Sequence, residues 1–286
     1  MCLAHGTQSM TLQELQRLTG LDGDAITVLR QTEELTGKPI EFVEDDRLSS
    51  LASVKMARSF MPAHTIRFRK ADPVLLAHLI AHECGHMQRM FAAAPDKRLV
   101  PITRPKHTDL VFRILAADST IALDGMDECA TRELFTIWHQ GMVNEVVNLN
   151  VDYRIESWLH RKYPGIRPNQ EKSIGLQVQM SVAGLAPNVK RDTPLLVYEG
   201  SNAVNYAYLR SIGIMLGRNL VRDYTDSTIV ALGKQLAAVL EEPDTGFEGD
   251  VRESNEWAAM LGIGDWFDWQ AFEDVPASYL GGSATV

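Results

Sequence analysis

Residues His82–His86 have the sequence HECGH, which fits the pattern HExxH and lies in an apolar part of the chain. Histidines four positions apart lie one turn apart on one helix face, so His82 and His86 can reach the same metal ion. Glu83 lies about 100° around the helix, where it can take a proton from a metal-bound water without being a ligand. The stretch therefore predicts a zinc-binding helix in which Glu83 is the general base.

The residues around this motif favour a buried helix. Asp72 is a good helix cap, and Pro73 is tolerated in a first turn. Apolar side chains follow at Val74, Leu75, Leu76, Leu79, Ile80, Met87, Met90 and Phe91. Two histidines and a glutamate are costly to bury unless something satisfies them. A zinc ion would do so.

Composition limits the classes of protein to which the chain can belong. It has 286 residues, of which 45% are hydrophobic and 23% charged, which is ordinary for a globular protein. No apolar run of about 18 residues predicts a membrane helix, and the first residues do not resemble a signal peptide. Three cysteines without a CxxC motif suit a reducing compartment. We therefore expect a cytoplasmic protein with no membrane partner.

The segment 1–37 is predicted to form a pair of helices. Thr11 opens a capping box for a short helix that ends near Gly20, and a second helix is expected from about Asp24 to Leu35. The pair resembles part of a helix-turn-helix, which would suggest binding to DNA. Acidic residues in the turn and a formal net charge of −9 argue against a nucleic-acid partner.

A zinc-binding core is expected over residues 38–165, and a helical C-terminal region over 166–286. Alternation predicts strands at Ile40–Glu44 and Thr65–Arg69, the second of them directly before the motif helix. Prolines predict a loop at Pro95–Pro105, and Gly246–Asp250 is expected to be a loop as well. Longer helices are predicted at about Asp127–Lys162, Ser201–Leu220 and Ser227–Glu242. The predicted fold class is α+β and predominantly helical, with a small N-terminal sheet packed on the motif helix.

The third zinc ligand is expected on the helix that contains residues 144–156. Glu145, Asn148, Asp152 and Glu156 form one polar stripe at the edge of an apolar face, where a ligand that lines a cleft belongs. Asp152 is the first choice because it is central in the stripe. Glu156 could then hydrogen-bond to a ligating histidine, although Glu156 and Glu145 are alternative ligands. Three other histidines are weaker candidates: His107, His139 and His160.

Two further residues lie near the predicted ligands. His78 continues the stripe of His82 and His86 one turn earlier, but three successive turns cannot easily converge on one ion. We therefore expect His78 to line the cleft or to support a ligand. Cys84 lies roughly opposite His82 on the helix and is expected to be a small buried residue.

These features together resemble the zincin metallopeptidases. The order of a short helix, a small sheet, the HExxH helix and a later acidic helix is similar to that of compact cytoplasmic gluzincin-like peptidases of bacteria, which include regulatory peptidases that cleave repressors. The spacing of Asn148 and Asp152 also resembles an Asn-xxx-Asp motif in predicted bacterial metallopeptidases. The resemblance covers about residues 38–165 and implies an edge strand before the motif helix. The chain departs from the extended HExxHxxGxxH pattern, because Arg89 occupies the position of its glycine.

The predicted activity is that of a zinc metalloendopeptidase acting on a peptide or protein substrate. Glu83 would take the proton of the attacking water and pass it to the leaving amine. Three residues are possible donors to the developing oxyanion: Tyr153, His107 and His139. Two alternatives remain open, a regulatory protein that binds DNA or a repressor and carries a zincin module, and an inactive structural zinc protein. Cys84 turned towards the metal would favour the second alternative.

Overall fold

The structure is a computed structural model that describes residues 9–10, 12–19, 21, 23–48, 50–69, 73–117 and 127–276. The helices are α1 (Leu12–Thr19), α2 (Gly23–Thr36), α3 (Pro73–Ala92), α4 (Pro105–Ala116), α5 (Glu128–Lys162), α6 (Arg167–Ala183), α7 (Pro187–Asp192), α8 (Leu195–Leu216), α9 (Ser227–Leu240) and α10 (Phe247–Met260). The strands are β1 (Ser9–Met10), β2 (Ile40–Glu44), β3 (Ala52–Lys55), β4 (His64–Phe68), β5 (Leu99–Ile102) and β6 (Asp268–Ala271). The predicted cap residues Thr11 and Asp72 lie outside the described residues. Within the described ranges, no helix is long and apolar enough to cross a bilayer.

The chain is mainly helical with a small sheet, which confirms the predicted class at that level. It divides into two compact units. The first unit contains Met1–Arg98, Ile155–Gly175 and Ala271–Val286, and the second contains Leu99–Arg154 and Leu176–Gln270. The division falls inside α5, so the C-terminal end of this helix belongs to the first unit. The three-part division expected from the sequence stays a prediction.

The first unit has a four-stranded sheet in the order β1-β2-β4-β3. β2 and β4 pair in parallel, whereas β1 pairs with β2 and β3 pairs with β4 in antiparallel fashion. In β4, every second residue is buried, from His64 through Ile66 to Phe68. The strand before the motif helix was expected to be an edge strand, and that expectation is wrong. β4 is an inner strand, because β3 pairs along its other side.

The motif helix α3 is enclosed on all sides over its middle. Each residue from Leu76 to Gly85 is buried, as expected for a helix that is largely apolar all round. α1, α2, β3 and β4 all contact it. From α3, the Gln88 side chain donates hydrogen bonds to the Val28 carbonyl and the Thr32 hydroxyl of α2. The buried face of α2 therefore packs against the motif helix and supports it.

The second unit is built on α8, most of whose residues are buried, and which packs along α9. α10 adds the buried Trp257, whose indole donates a hydrogen bond to the Leu236 carbonyl of α9. Its two-stranded sheet pairs β5 with β6. The predicted loop at Pro95–Pro105 is therefore wrong in part, because it contains β5.

The second predicted loop is also wrong. α10 begins at Phe247, inside the Gly246–Asp250 segment. Gly246 is its N-cap and has a φ of 75°, a conformation that glycine adopts without steric cost. The glycine therefore marks the start of a helix and not a longer loop.

Candidate metal centre

The two motif histidines direct the same ring nitrogen towards one another. His82 is fully buried and His86 is half-buried, and their Nε2 atoms are 3.2 Å apart. Two nitrogens bound to one tetrahedral zinc, each about 2.0–2.1 Å from it, are separated by about 3.3 Å. The observed spacing therefore fits two ligands of a common ion.

The other ring nitrogen of His82 is engaged by Glu156 on α5. The His82 Nδ1 atom lies 2.7 Å from Glu156 Oε1, and both side chains are buried. Since an ionised carboxylate only accepts hydrogen bonds, Nδ1 must carry the proton. A neutral His82 then has its lone pair on Nε2, the atom that faces His86. This arrangement of carboxylate, histidine and metal-facing nitrogen is common at zinc sites.

Two more side chains donate to the same carboxylate. His78 Nε2 is 3.0 Å from each oxygen of Glu156. The Gln170 amide on α6 donates to Glu156 Oε2 at 2.5 Å and to the Glu156 backbone carbonyl at 2.9 Å. Burial acts to raise the pKa of the Glu156 carboxyl, but the charge of His78 and the hydrogen bonds from His78 and His82 outweigh it. The pKa of Glu156 therefore lies well below its usual value, and the group is ionised.

His78, His82 and Glu156 also form a group whose ligand atoms lie within 4.8 Å of one another. Their contacts of 2.7 and 3.0 Å are ordinary hydrogen-bond lengths. A metal at this position would have to displace the proton on His82 Nδ1. The geometry therefore suits a hydrogen-bonded cluster better than a set of ligands.

Gly85, inside the motif, allows α5 to approach α3. A Cβ atom at Gly85 would lie 2.5 Å from Cγ2 of Ile155, closer than real Cβ contacts. Ile155 is the neighbour of Glu156 in the chain, so this close approach helps the carboxylate to reach His78 and His82. The HExxH pattern leaves this position open and therefore did not indicate a role for Gly85.

Glu83, the predicted base, is fully buried on α3 beside His82 in the chain. The Cys84 thiol is also fully buried, and burial raises its pKa to about 12 although Thr32 of α2 offers it a hydrogen bond. The expectation of a small buried role for Cys84 is confirmed. Because the Cys84 thiol contacts α2, it does not support the alternative in which Cys84 turns towards the metal as a ligand.

The acidic candidates for the third ligand lie at different positions along the axis of α5. Asp152 is fully buried, one turn before Glu156. Glu145 lies in the second unit, where Ser201 and Asn205 of α8 offer its carboxyl hydrogen bonds. Burial nevertheless raises the pKa of Glu145 to about 7. The structure therefore places Glu145 against α8.

The other candidate histidines have hydrogen-bond partners of their own. His107 Nδ1 accepts from the Arg104 backbone at the start of α4, and His139 Nε2 donates to the Trp266 carbonyl at 2.7 Å. Burial lowers the pKa of both imidazoles. His160 Nδ1 lies 3.1 Å from Gln170 Oε1. None of these bonds involves His82 or His86.

Gln170 is the functional candidate that sequence reasoning missed. It is fully buried, and so are Ile166 and Ile174, four positions before and after it. A lone amide inside an apolar helical stripe signals a buried polar group that needs partners. That signal was present in the sequence but did not identify Glu156 as the partner.

Comparison of the chain with protein-family models, with curated proteins and with solved structures finds no match. The chemistry of the site therefore has to be inferred from its geometry.

Proposed function

We propose that this protein is a zinc-dependent metallopeptidase in which His82 and His86 bind the metal and Glu83 is the general base. The observation that carries the proposal is the 3.2 Å separation of the two Nε2 atoms, together with the Glu156 contact that holds the His82 proton on Nδ1 and so keeps the lone pair on Nε2. Imidazole nitrogens completed by a carboxylate suit zinc, and catalytic zinc sites usually have three protein ligands.

We propose Asp152 as the third ligand, on the basis of helix direction. His78 and His82 contact Glu156, whereas Gly85, further along α3, lies against Ile155. Residue numbers thus rise on α3 as they fall on α5, so the two helices run in opposite directions. One turn back from Glu156 on α5 is Asp152, which should lie beside the turn of α3 that carries His86.

Glu156 is better suited to support a ligand than to be one. Both of its oxygens already accept hydrogen bonds from His78, and each accepts a further one. Glu145 precedes Asp152 by seven residues, about 10 Å along the helix, which is too far for both to bind the same ion. The proposed ligand set is therefore His82, His86 and Asp152.

In the proposed reaction, zinc supplies Lewis acidity, which polarises the scissile carbonyl and makes water more acidic. Glu83 takes the proton of the attacking water and returns it to the leaving amine. Burial of Glu83 keeps bulk water away from this transfer. His107 and His139 are engaged elsewhere, so Tyr153, next to Asp152 in the chain, is the remaining candidate donor to the oxyanion.

The decisive variant is Glu83→Gln, which preserves shape and removes the base. Zinc content by elemental analysis and cleavage of a quenched-fluorescent peptide library are measured on both proteins. We expect about one zinc per chain in each, and at least a 10²-fold loss of hydrolysis in the variant. The matched control is Glu145→Gln, another buried carboxyl, which should retain both properties.

Three results would overturn the proposal. Wild-type protein that binds no zinc would remove the metal site. A Glu83→Gln variant that hydrolyses peptides as fast as wild type would remove the base. Zinc bound in full with no hydrolysis of any peptide by wild type would favour a structural zinc protein.

A further inference from the structure

We propose that Gln170 is a positioning residue for the metal centre, which holds the Glu156 carboxylate so that His82 keeps its Nε2 lone pair directed at the metal. This inference rests on the proposed function, because it assumes that His82 is a ligand. It assigns a role to α6, which lies outside the region that resembles the zincins.

The hydrogen bonds of Gln170 fix the orientation of its amide. Nε2 donates to the backbone carbonyl and to Oε2 of Glu156, which are both pure acceptors. Oε1 then faces His160 Nδ1, at 3.1 Å, as an acceptor. Both amide protons and the amide oxygen are used, and a flipped amide would lose both bonds to Glu156.

The turn between α5 and α6 sets the position of Gln170. α5 ends at Lys162, a short 3₁₀ turn covers Pro164–Ile166, and α6 starts at Arg167. The Arg167 guanidinium donates to the His160 carbonyl at 2.7 Å, which ties the first turn of α6 to the last turn of α5. Burial of Ile166 and Ile174 then fixes the face of α6 that carries Gln170.

Gln170 is placed to prevent rotation of the carboxylate. His78 bonds both oxygens of Glu156 equally, at 3.0 Å, and so does not distinguish them. Gln170 on Oε2 and His82 on Oε1 assign one partner to each oxygen. Without Gln170 the carboxylate can tilt away from the orientation in which Oε1 faces His82 Nδ1, which weakens the preference of His82 for the tautomer with its proton on Nδ1.

The test measures zinc affinity by competition with a chromophoric chelator. Loss of an outer-shell partner of a metal ligand typically lowers affinity by about 10–100-fold, and we expect about 10-fold for Gln170→Ala. Gln170→Glu should bind more weakly still, because a second carboxylate would lie beside Glu156. The matched control is Gln31→Ala, a half-buried glutamine of the same unit that accepts a hydrogen bond from the Tyr163 hydroxyl at 2.7 Å. It should bind zinc within about twofold of wild type.

A second readout separates positioning from simple loss of stability. Nitrogen-15 NMR of the histidine rings in zinc-free protein should show His82 as the Nδ1–H tautomer in wild type and in Gln31→Ala. Gln170→Ala should show a mixture of tautomers. If that variant does not fold, His160→Ala takes its place, since it removes only the donor to Gln170 Oε1 and should give smaller changes in the same direction.

The outcomes distinguish the two proposals. Wild type that binds zinc while every Gln170 and His160 variant keeps its affinity and its single His82 tautomer would overturn the role of Gln170 alone. Wild type that binds no zinc would overturn the proposed function, and this inference with it.

Discussion

Two glutamates on the same helix, α5, have pKa values that their surroundings shift in opposite directions. Glu156 lies among two imidazoles and an amide, and its pKa is well below the usual value. Glu145 has only the neutral side chains of Ser201 and Asn205 to offset its burial, and its pKa rises to about 7. The charge and number of the surrounding hydrogen-bond donors therefore decide whether a buried carboxyl is ionised. Only the ionised glutamate can orient a histidine as an acceptor.

The largest expected difference between the two sites is in stability. Glu156→Ala leaves His78 and His82 buried without their shared acceptor and should cost about 3–5 kcal/mol of unfolding free energy. Glu145→Ala removes a carboxyl that is about half protonated at pH 7 and has only neutral partners, and it should cost about 1 kcal/mol. Urea unfolding at pH 7 measures both. Equal losses would mean that the two carboxyls have equivalent surroundings, contrary to the structure.

The second difference concerns the glycines near each site. Gly85→Ala would press against Ile155 and move Glu156 away from the histidines, at a cost of about 1–3 kcal/mol and with weaker zinc binding. The matched control is Gly141→Ala on α5, four residues before Glu145, where a Cβ meets nothing within 4 Å. It should stabilise the helix by about 0.5–1 kcal/mol. Thermal unfolding with and without zinc checks both, and a harmless Gly85→Ala would refute the close approach.

The third difference is the pH dependence of stability due to Glu145. Its pKa in the folded protein, about 7, is above the value of 4.5 expected for an exposed glutamate. Between these values the folded state binds more protons than the unfolded state, so stability falls as pH rises through this window. Relative to wild type, Glu145→Gln should therefore gain about 2–3 kcal/mol between pH 5 and pH 8. A constant difference across this range would contradict the raised pKa.

The sequence predicted the motif helix well because its signals are local. An apolar run and the HExxH spacing were enough to place α3, and similar patterns placed α2, β2 and most of α5, α8 and α9. Cys84 was also correctly expected to be buried, because helical spacing alone sets its direction.

The sequence could not rank the glutamates of α5, and the reason is geometric. Residues eleven apart on an α-helix are separated by about 1100°, only about 20° from the same direction, but by about 16 Å along the axis. Glu145 and Glu156 therefore occupy the same stripe in any periodicity analysis. Only contacts with other parts of the chain separate them.

Strand order and the partner of Gln170 depend on similar non-local information. β5 pairs with β6, more than 160 residues later, and such a partner leaves little trace in a four-residue strand that contains a proline. β4 is an inner strand only because the short β3 pairs with it. The 3₁₀ turn between α5 and α6 brings Gln170 to Glu156. The sequence indicated that α5 ends there but not how the chain turns.

The most direct test of the metal centre is a zinc titration of metal-free wild type beside the His82→Ala, His86→Ala double variant. We expect wild type to bind one zinc per chain tightly and to unfold at a higher temperature when loaded, because zinc binds only the folded state. The double variant should lose the tight site and the thermal shift. Wild type without a tight site, or a double variant that binds zinc equally well, would contradict the assignment of these two histidines.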